Sequence, residues 1–423
     1  MALGLFTDLY EVRMVESYLR RGMTARATFS LYIRAMPQRP WFVALGVGKV
    51  LEALASFRYG PDEIAYLRGA GVGEPTLDWL GAFAPSGEIW AVAEGEIVLA
   101  NEPILEVTAS LPAAQLLETA MINLVQYPTL VATKAAMIAS AAEGRSVVDF
   151  GFRRAHGLET GVEAARAAYV GGGLTTSNLE AGRRYGIPVV GTMAHSYVQA
   201  HSREVDAFRA FAEDHPDNAI FLVDTYDTIE GTRRAITVAG EMQERGARLR
   251  GIRIDSGDLL DLSKRARAML DDAGLAGVQI LASGGLDEKK IEALVSSGAP
   301  IDAFGVGTEL VTSADRPSLD VAYKLVSYDG RPTAKLSPEK ATLPGEKQVF
   351  RSEDGDVIGL RSERLPGRPL LEPVWRDGTG LKPFDLETSR AYAAEGLARA
   401  SSLGAPALSA AMRDLVSAVP GSD

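Results

Sequence analysis

A chain of 423 residues with 46% hydrophobic and 23% charged residues can bury a sizeable core and is no disordered polymer. Its net charge of −11 argues against general binding to nucleic acid or anionic membranes, and the lack of cysteine excludes disulfides, thiolate metal sites and thiol nucleophiles. The start "MALGLFTDLYEVRMVESYLRR" has early acids and no signal-peptide core, and no run approaches the roughly 20 apolar residues of a membrane span. A soluble cytoplasmic protein is therefore expected.

Residues 1–112 predict an α/β domain. "TDLYEVRMVESYLRRG" has helical apolar spacing, with Thr7 as the expected cap and Gly22 as the stop. "ATFSLYIR" alternates like a strand, and "EIWAVAEGEIVLANEPILEVTAS" predicts two strands joined around Gly95. A long apolar helix comes next, through "PAAQLLETAMINLVQYPTLVATKAAMIASAAEGR", with an interruption expected at Pro128.

Short β-branched runs then alternate with helical stretches: "SVVDFG", "AAYVGG", "IPVVGT", "AIFLVDT", "LRGIRIDSG", "VQILASGG" and "IDAFGVGT". This is the pattern of βα units on a parallel sheet. A closed barrel of this kind takes eight strands, so a (β/α) barrel over residues 113–325 is either completed from elsewhere in the chain or irregular. Residues 326–423 read as hairpins turning at Asp329-Gly330 and Asp354-Gly355, then an amphipathic helix in "PALSAAMRDLVSAV".

The chemistry falls just beyond each strand, because residues past the C-terminal strand ends of such folds face one shared mouth. Those positions hold Arg153 and Arg154; Thr192 and His195; Asp224 and Asp227; Arg253, Asp255 and Asp258; Ser283, Gly284 and Gly285; and Gly305, Gly307 and Thr308. Arginines, carboxylates and glycine turns on one rim suit a ligand bearing several phosphates. Glycines where a helix begins let a phosphate reach backbone N–H groups, although such turns also serve simply as tight corners. In "RIDSGDL", Asp255 and Asp258 are candidates for a magnesium ion bridging a diphosphate, while Asp255 or Ser256 is equally a candidate cap for a helix starting at Asp258. Arg253 within a β-branched run needs an anionic partner, and a ligand carboxylate would supply one. His201 and His215 have no metal-site spacing, and His156 reads as a surface residue beside the arginine pair.

The segments "TDLYEVRM", "FGFRRAHG", "GTMAHSYVQAH", "LVDTYDT", "GIRIDSGDL", "GVGTELVTS" and "KLSPEKATLPGEKQVF" together resemble nicotinate phosphoribosyltransferase, in order along nearly the whole chain. The resemblance implies an N-terminal α/β domain, an irregular α/β barrel and a last segment packing back on the first domain. It implies synthesis of nicotinate mononucleotide and diphosphate from nicotinate and 5-phosphoribosyl 1-diphosphate, with ATP as co-substrate and Mg²⁺ or Mn²⁺ as cofactor, in a homodimer. His195 would then be the residue phosphorylated by ATP. Tyr10, Thr192 and Arg253 would bind nicotinate, with Tyr10 reaching a partner's site. Arg153, Arg154, Ser283, Gly284, Gly285, Gly307 and Thr308 would bind phosphoribosyl diphosphate, and Asp224, Asp255 and Asp258 the ribose or the metal. The double glycine of "ASGGLDE" also resembles quinolinate phosphoribosyltransferases, which keeps that decarboxylating enzyme as the alternative, with a catalytically silent nucleotide-binding relative behind it.

Overall fold

The computed structural model describes residues 3–419 apart from 336, 338–340 and 401. Part of the segment "KLSPEKATLPGEKQVF" thus lies outside the described residues. The chain divides into two compact units, one comprising Met1–Thr133 and Ser318–Asp423 and the other Lys134–Pro317.

The first unit is built from both ends of the chain. In its seven-stranded sheet Val321–Tyr328 pairs with Arg26–Ile33, which pairs with Pro103–Ser110, and the order continues through Glu88–Ala91 to Glu372–Arg376. All of these pairings are antiparallel, and their inner faces share one apolar core with helices Leu9–Arg20 and Val47–Ser56. Both expected C-terminal hairpins form: Val321–Tyr328 with Arg331–Pro332, and Lys347–Ser352 with Gly355–Leu360. The tail helix spans Ala410–Ala418 and is capped by Ser409.

Three local expectations are corrected here. Thr7 does not cap the first helix: Asp8 occupies the cap position, and the Thr7 hydroxyl donates instead to the buried Glu11 carboxylate. Gly95 joins no hairpin, because Ile97–Val98 pairs with Phe42–Val43 while Glu88–Ala91 pairs with Pro103–Ser110. Pro128 does not interrupt its helix, which runs from Glu118 to Ala141 after a break at Leu117. A proline leaves the carbonyl four residues earlier without its helical donor. That carbonyl, of Leu124, lies against the backbone of Gly46, where a Cβ would stand only 2.2 Å from the oxygen. The hydroxyls of Thr129 and Thr133 complete the docking by bonding Leu45 and the amide of Val43, each at 3.0 Å.

Buried charge ties the last segment to the first. The Arg351 guanidinium bonds Asp356 at 2.9 Å, Glu96 at 2.6 Å and the Ile97 carbonyl at 2.7 Å. Lys347 pairs with Glu106 at 2.9 Å, and Arg361 meets the same carboxylate. The Arg351 nitrogens thus face acceptors away from water, which makes the pairing costly to break from one side.

The second unit carries a six-stranded sheet: β1 (Ser146–Asp149), β2 (Thr175–Thr176), β3 (Ile220–Leu222), β4 (Gly251–Ile254), β5 (Gln279–Ala282) and β6 (Ala303–Val306). The spatial order is β2-β1-β6-β5-β4-β3, with every pairing parallel. It is an open half-barrel. Two of the seven expected strands are absent as such. "AAYVGG" is instead the buried end of helix Leu158–Val170, and "IPVVGT" contributes one bridge, Val189 to Thr176. Pro188 lacks an N–H for a ladder, and Val189 and Val190 remain exposed, so the run cannot become a buried central strand. No helix among the described residues is long and apolar enough to cross a membrane.

Replacing Arg351 with methionine should cost about 3–5 kcal/mol of unfolding free energy, because Asp356 would stay buried without its cation and Glu96 would keep only the half-exposed Arg368. Chemical denaturation of the two proteins measures the difference; a loss below about 1 kcal/mol would mean that the network does not hold the segment.

Candidate active site

The C-terminal ends of β1, β3, β4, β5 and β6 bring the polar residues together within the second unit. Arg253 is the penultimate residue of β4, and its side chain is only 12% exposed. Its Nε donates to Ser283 Oγ at 2.7 Å, Nη1 to Thr192 Oγ1 at 3.2 Å and Nη2 to Asp255 Oδ1 at 2.6 Å. The guanidinium carbon lies 5.1 Å from the Phe150 ring centre, a cation–π contact that walls the group on one side. Three loops distant in sequence therefore converge on one cation.

Asp255 is the first residue after β4. Burial opposes its ionisation, but the Ser283 hydroxyl, Arg253 and His195 hold its carboxyl below the usual range. Its backbone N–H donates to Asp224 Oδ2 at 3.1 Å, and Ser256 Oγ donates to the same oxygen at 2.6 Å. The other Asp224 oxygen is buried and has no hydrogen-bond partner.

His195 opens the short helix His195–Gln199 and is part-buried. Its Nδ1 lies 3.1 Å from Thr225 Oγ1, and its Nε2 is 3.8 Å from Asp255 Oδ2. The imidazole is thus held from both sides by residues beyond the ends of β3 and β4.

The glycine turns come after β5 and β6. Gly284 has φ +96°, and a Cβ there would stand 1.9 Å from the Asp255 carbonyl oxygen, so a side chain has no place. Lys290 Nζ donates to the Gly285 carbonyl at 2.5 Å. Lys134 is fully buried and pairs with Glu288 at 2.6 Å and Asp315 at 2.8 Å, joining the segments beyond the two turns. Gly307 directly precedes Thr308, the exposed first residue of helix Thr308–Val311. On neighbouring β1, Asp149 Oδ1 accepts from the Gly151 N–H at 2.7 Å and its other oxygen accepts from Thr176, which sets the turn Phe152–Arg154. Burial pushes the Asp149 carboxyl up. Arg153 and Arg154 project from that turn and are exposed.

Asp258 is exposed and caps helix Leu259–Asp272, its Oδ1 accepting from the amides of Leu260 and Asp261 at 3.1 Å. The helix therefore starts one residue later than expected, and neither Asp255 nor Ser256 caps it. Tyr10 is in the first unit, 49% exposed, among the exposed apolar side chains of Leu5, Phe6 and Leu9. Among the described residues, no group of three His, Cys, Asp or Glu side chains is arranged to hold a metal ion. Thr225 and Phe150 were not singled out from the sequence. Thr225 comes after Asp224 at a strand end just as Thr192 comes after "IPVVG", a signal that was available; an apolar residue completing "SVVDF" gives none.

A parallel half-barrel that gathers its arginine, carboxylates and glycine turns at the strand ends is the architecture of the type II phosphoribosyltransferase fold. The human nicotinic acid phosphoribosyltransferase structure superposes with a TM-score of 0.86 at 28% identity, covering 98% of this chain and all of that one. A nicotinate-nucleotide pyrophosphorylase structure from Pyrococcus furiosus gives a TM-score of 0.78 at 26% identity, over 95% of this chain and 96% of that one. The model of the nicotinate phosphoribosyltransferase N-terminal domain matches residues 5–126, and that of the nicotinate phosphoribosyltransferase family matches residues 145–350. The nicotinate phosphoribosyltransferase pncB2 of Mycobacterium tuberculosis is 46% identical over 386 residues, 90% of this chain and 83% of the relative. The nicotinate phosphoribosyltransferase of Bacillus subtilis is 44% identical over 387 residues, 88% of this chain and 79% of the relative. The chain belongs to the nicotinate phosphoribosyltransferase family.

Gly284→Ala should destabilise the protein by about 1–3 kcal/mol, the cost of a strained φ, and should remove most activity by displacing the Asp255 backbone. Denaturation together with turnover measures both; an alanine variant with unchanged activity would mean that this contact has no bearing on the site.

Proposed function

We propose that the protein joins nicotinate to 5-phosphoribosyl 1-diphosphate at this site, giving nicotinate mononucleotide and diphosphate, with ATP hydrolysis coupled through phosphorylation of His195. The observation that carries the reading is Arg253, a sheltered cation at a strand end with Thr192 beside it. A guanidinium in that position is suited to a bidentate bond with the carboxylate of nicotinate.

The pyridine nitrogen is the nucleophile. It attacks the anomeric carbon of the ribose as the bond to diphosphate breaks, and the electron pair leaves with the diphosphate. No protein base is needed, so the protein's part is alignment and stabilisation of the departing charge. Arg253 and Thr192 hold the base, with Phe150 as the wall of its pocket. The turns at Gly284-Gly285 and Gly307-Thr308 hold the 5-phosphate through backbone N–H groups and the Thr308 hydroxyl. Arg153 and Arg154 meet the diphosphate or the phosphates of ATP.

Asp224 has the buried unpartnered oxygen, and it is the carboxylate best placed for a ribose hydroxyl or a divalent cation. Mg²⁺ or Mn²⁺ takes few protein ligands when phosphates and water complete its shell, so the lack of a three-carboxylate cluster among the described residues is compatible with its use. Asp224, with the remaining oxygen of Asp255 beside it, would hold it, while Asp258 serves its helix as the cap. Its contribution when bound is to offset diphosphate charge.

His195 supplies the coupling to ATP. A neutral imidazole nitrogen attacks the γ-phosphorus, ADP leaves, and the phosphohistidine is later hydrolysed. Thr225 on Nδ1 holds the ring in rotation for that transfer. The exposed Leu5, Phe6, Leu9 and Tyr10 support a homodimer in which this face is covered and Tyr10 lines the partner's base pocket.

The test is to incubate the protein with phosphoribosyl diphosphate and nicotinate, nicotinamide or quinolinate, with and without ATP, and to identify products by mass. Nicotinate mononucleotide is the expected product. His195→Ala should lose the ATP stimulation while keeping slow synthesis; unchanged stimulation would remove the phosphohistidine. Arg253→Ala should raise the KM for nicotinate roughly 10- to 100-fold, the worth of a hydrogen bond to a charged group, with a far smaller effect on the sugar diphosphate. Equal effects on both substrates would refute the clamp.

A further inference from the structure

Ser283 begins the glycine turn after β5, and by position it belongs with the phosphate ligands. Its hydrogen bonds place it elsewhere. The residue is 2% exposed, and its Oγ accepts from Arg253 Nε at 2.7 Å while donating to Asp255 Oδ1. A serine hydroxyl has a single proton. That proton is committed to Asp255, so none remains for a phosphate oxygen, which needs donors.

We propose that Ser283 is a positioning residue for the base clamp, aiming the Arg253 guanidinium at the nicotinate carboxylate, and is not a ligand of the phosphate. The proposal rests on the reading of Arg253 as the residue that holds the base. A guanidinium offers five N–H donors in a rigid fork. Three are used within the protein, one on Nε by Ser283, one on Nη2 by Asp255 and one on Nη1 by Thr192. Five minus three leaves two, one on each terminal nitrogen, which is the number a carboxylate takes in a bidentate pair.

Ser283 and Asp255 act together as a mould for one side of the guanidinium. Asp255 alone would fix Nη2 yet leave the group free to swing about that bond; the second contact at Nε removes the freedom. The mould is itself rigid. Ser283 N–H donates to the Ile254 carbonyl at 2.9 Å, and the neighbouring Gly284 packs directly against the Asp255 carbonyl. The serine therefore makes the phosphate turn and the base clamp parts of one framework, with its backbone in the first and its hydroxyl in the second.

Steady-state kinetics of Ser283→Ala distinguish the two roles. The KM for nicotinate should rise about 10-fold, as expected for loss of a hydrogen bond to a charged group. The KM for phosphoribosyl diphosphate should stay within about twofold, and the preference for nicotinate over nicotinamide should fall by a similar factor to the nicotinate effect. Ser283→Cys keeps nearly the same volume with much weaker hydrogen bonding, and it should show the same split even if the alanine variant folds poorly. A rise confined to the sugar diphosphate KM would make Ser283 a phosphate ligand and overturn the proposal. A fall in kcat on every substrate with both KM values unchanged would overturn it as well, since that marks a purely structural serine. If the wild-type protein makes no nucleotide from nicotinate, or Arg253→Ala affects both substrates alike, it is the underlying reading of the clamp that fails.

Discussion

The site turns on keeping one cation charged, sheltered and aimed. Arg253 emerges from β4 into a pocket where water is largely excluded, so a donor that meets no acceptor, in the protein or on a ligand, is costly. Asp255, Ser283 and Thr192 meet three of them and arrive from the ends of different chain segments. The remaining architecture of the second unit can be understood as the means of bringing those segments to one point. Parallel strands put their C-terminal ends on one edge, and the positive φ of Gly284 lets the turn after β5 lie against Asp255. The same carboxylate faces His195, so the arginine proposed to hold the base and the imidazole proposed to take up phosphate share a neighbour.

The first unit depends on a different set of buried charges. Arg351 and Lys347, from the last hundred residues, find their carboxylates on Glu96 and Glu106 in the first hundred or so. Such pairs add little net stability over apolar packing, but they are expensive to mispair. That makes them suited to fixing which strand the returning segment lies beside, with Val321–Tyr328 set in register along Arg26–Ile33.

Much of this was legible in the sequence, for identifiable reasons. Short Val- and Ile-rich runs ending in polar residues marked β1, β3, β4, β5 and β6 correctly, because a strand buried on both faces has few other compositions open to it. "AAYVGG" misled because small apolar residues on a helix buried nearly all round read as a strand; burial, not period, set its composition. Pro128 misled because the rule for prolines assumes that the freed carbonyl has nowhere to go, while here Gly46 lies against it. At the site, the residue types at the strand ends were readable, but their partners were not. Which hydroxyl meets which nitrogen of Arg253 depends on contacts between loops that are sequentially remote. Ser283 stands in a turn that reads as a phosphate loop, while its hydroxyl bonds Arg253 and Asp255.

The most direct test of the account is a crystal structure of the protein soaked with nicotinate. The carboxylate of the base should sit within hydrogen-bonding distance of the two terminal nitrogens of Arg253, while Ser283 and Asp255 keep their places on the opposite edge of the guanidinium. A nicotinate bound with its carboxylate directed away from Arg253, and with the three protein partners of that arginine undisturbed, would contradict it.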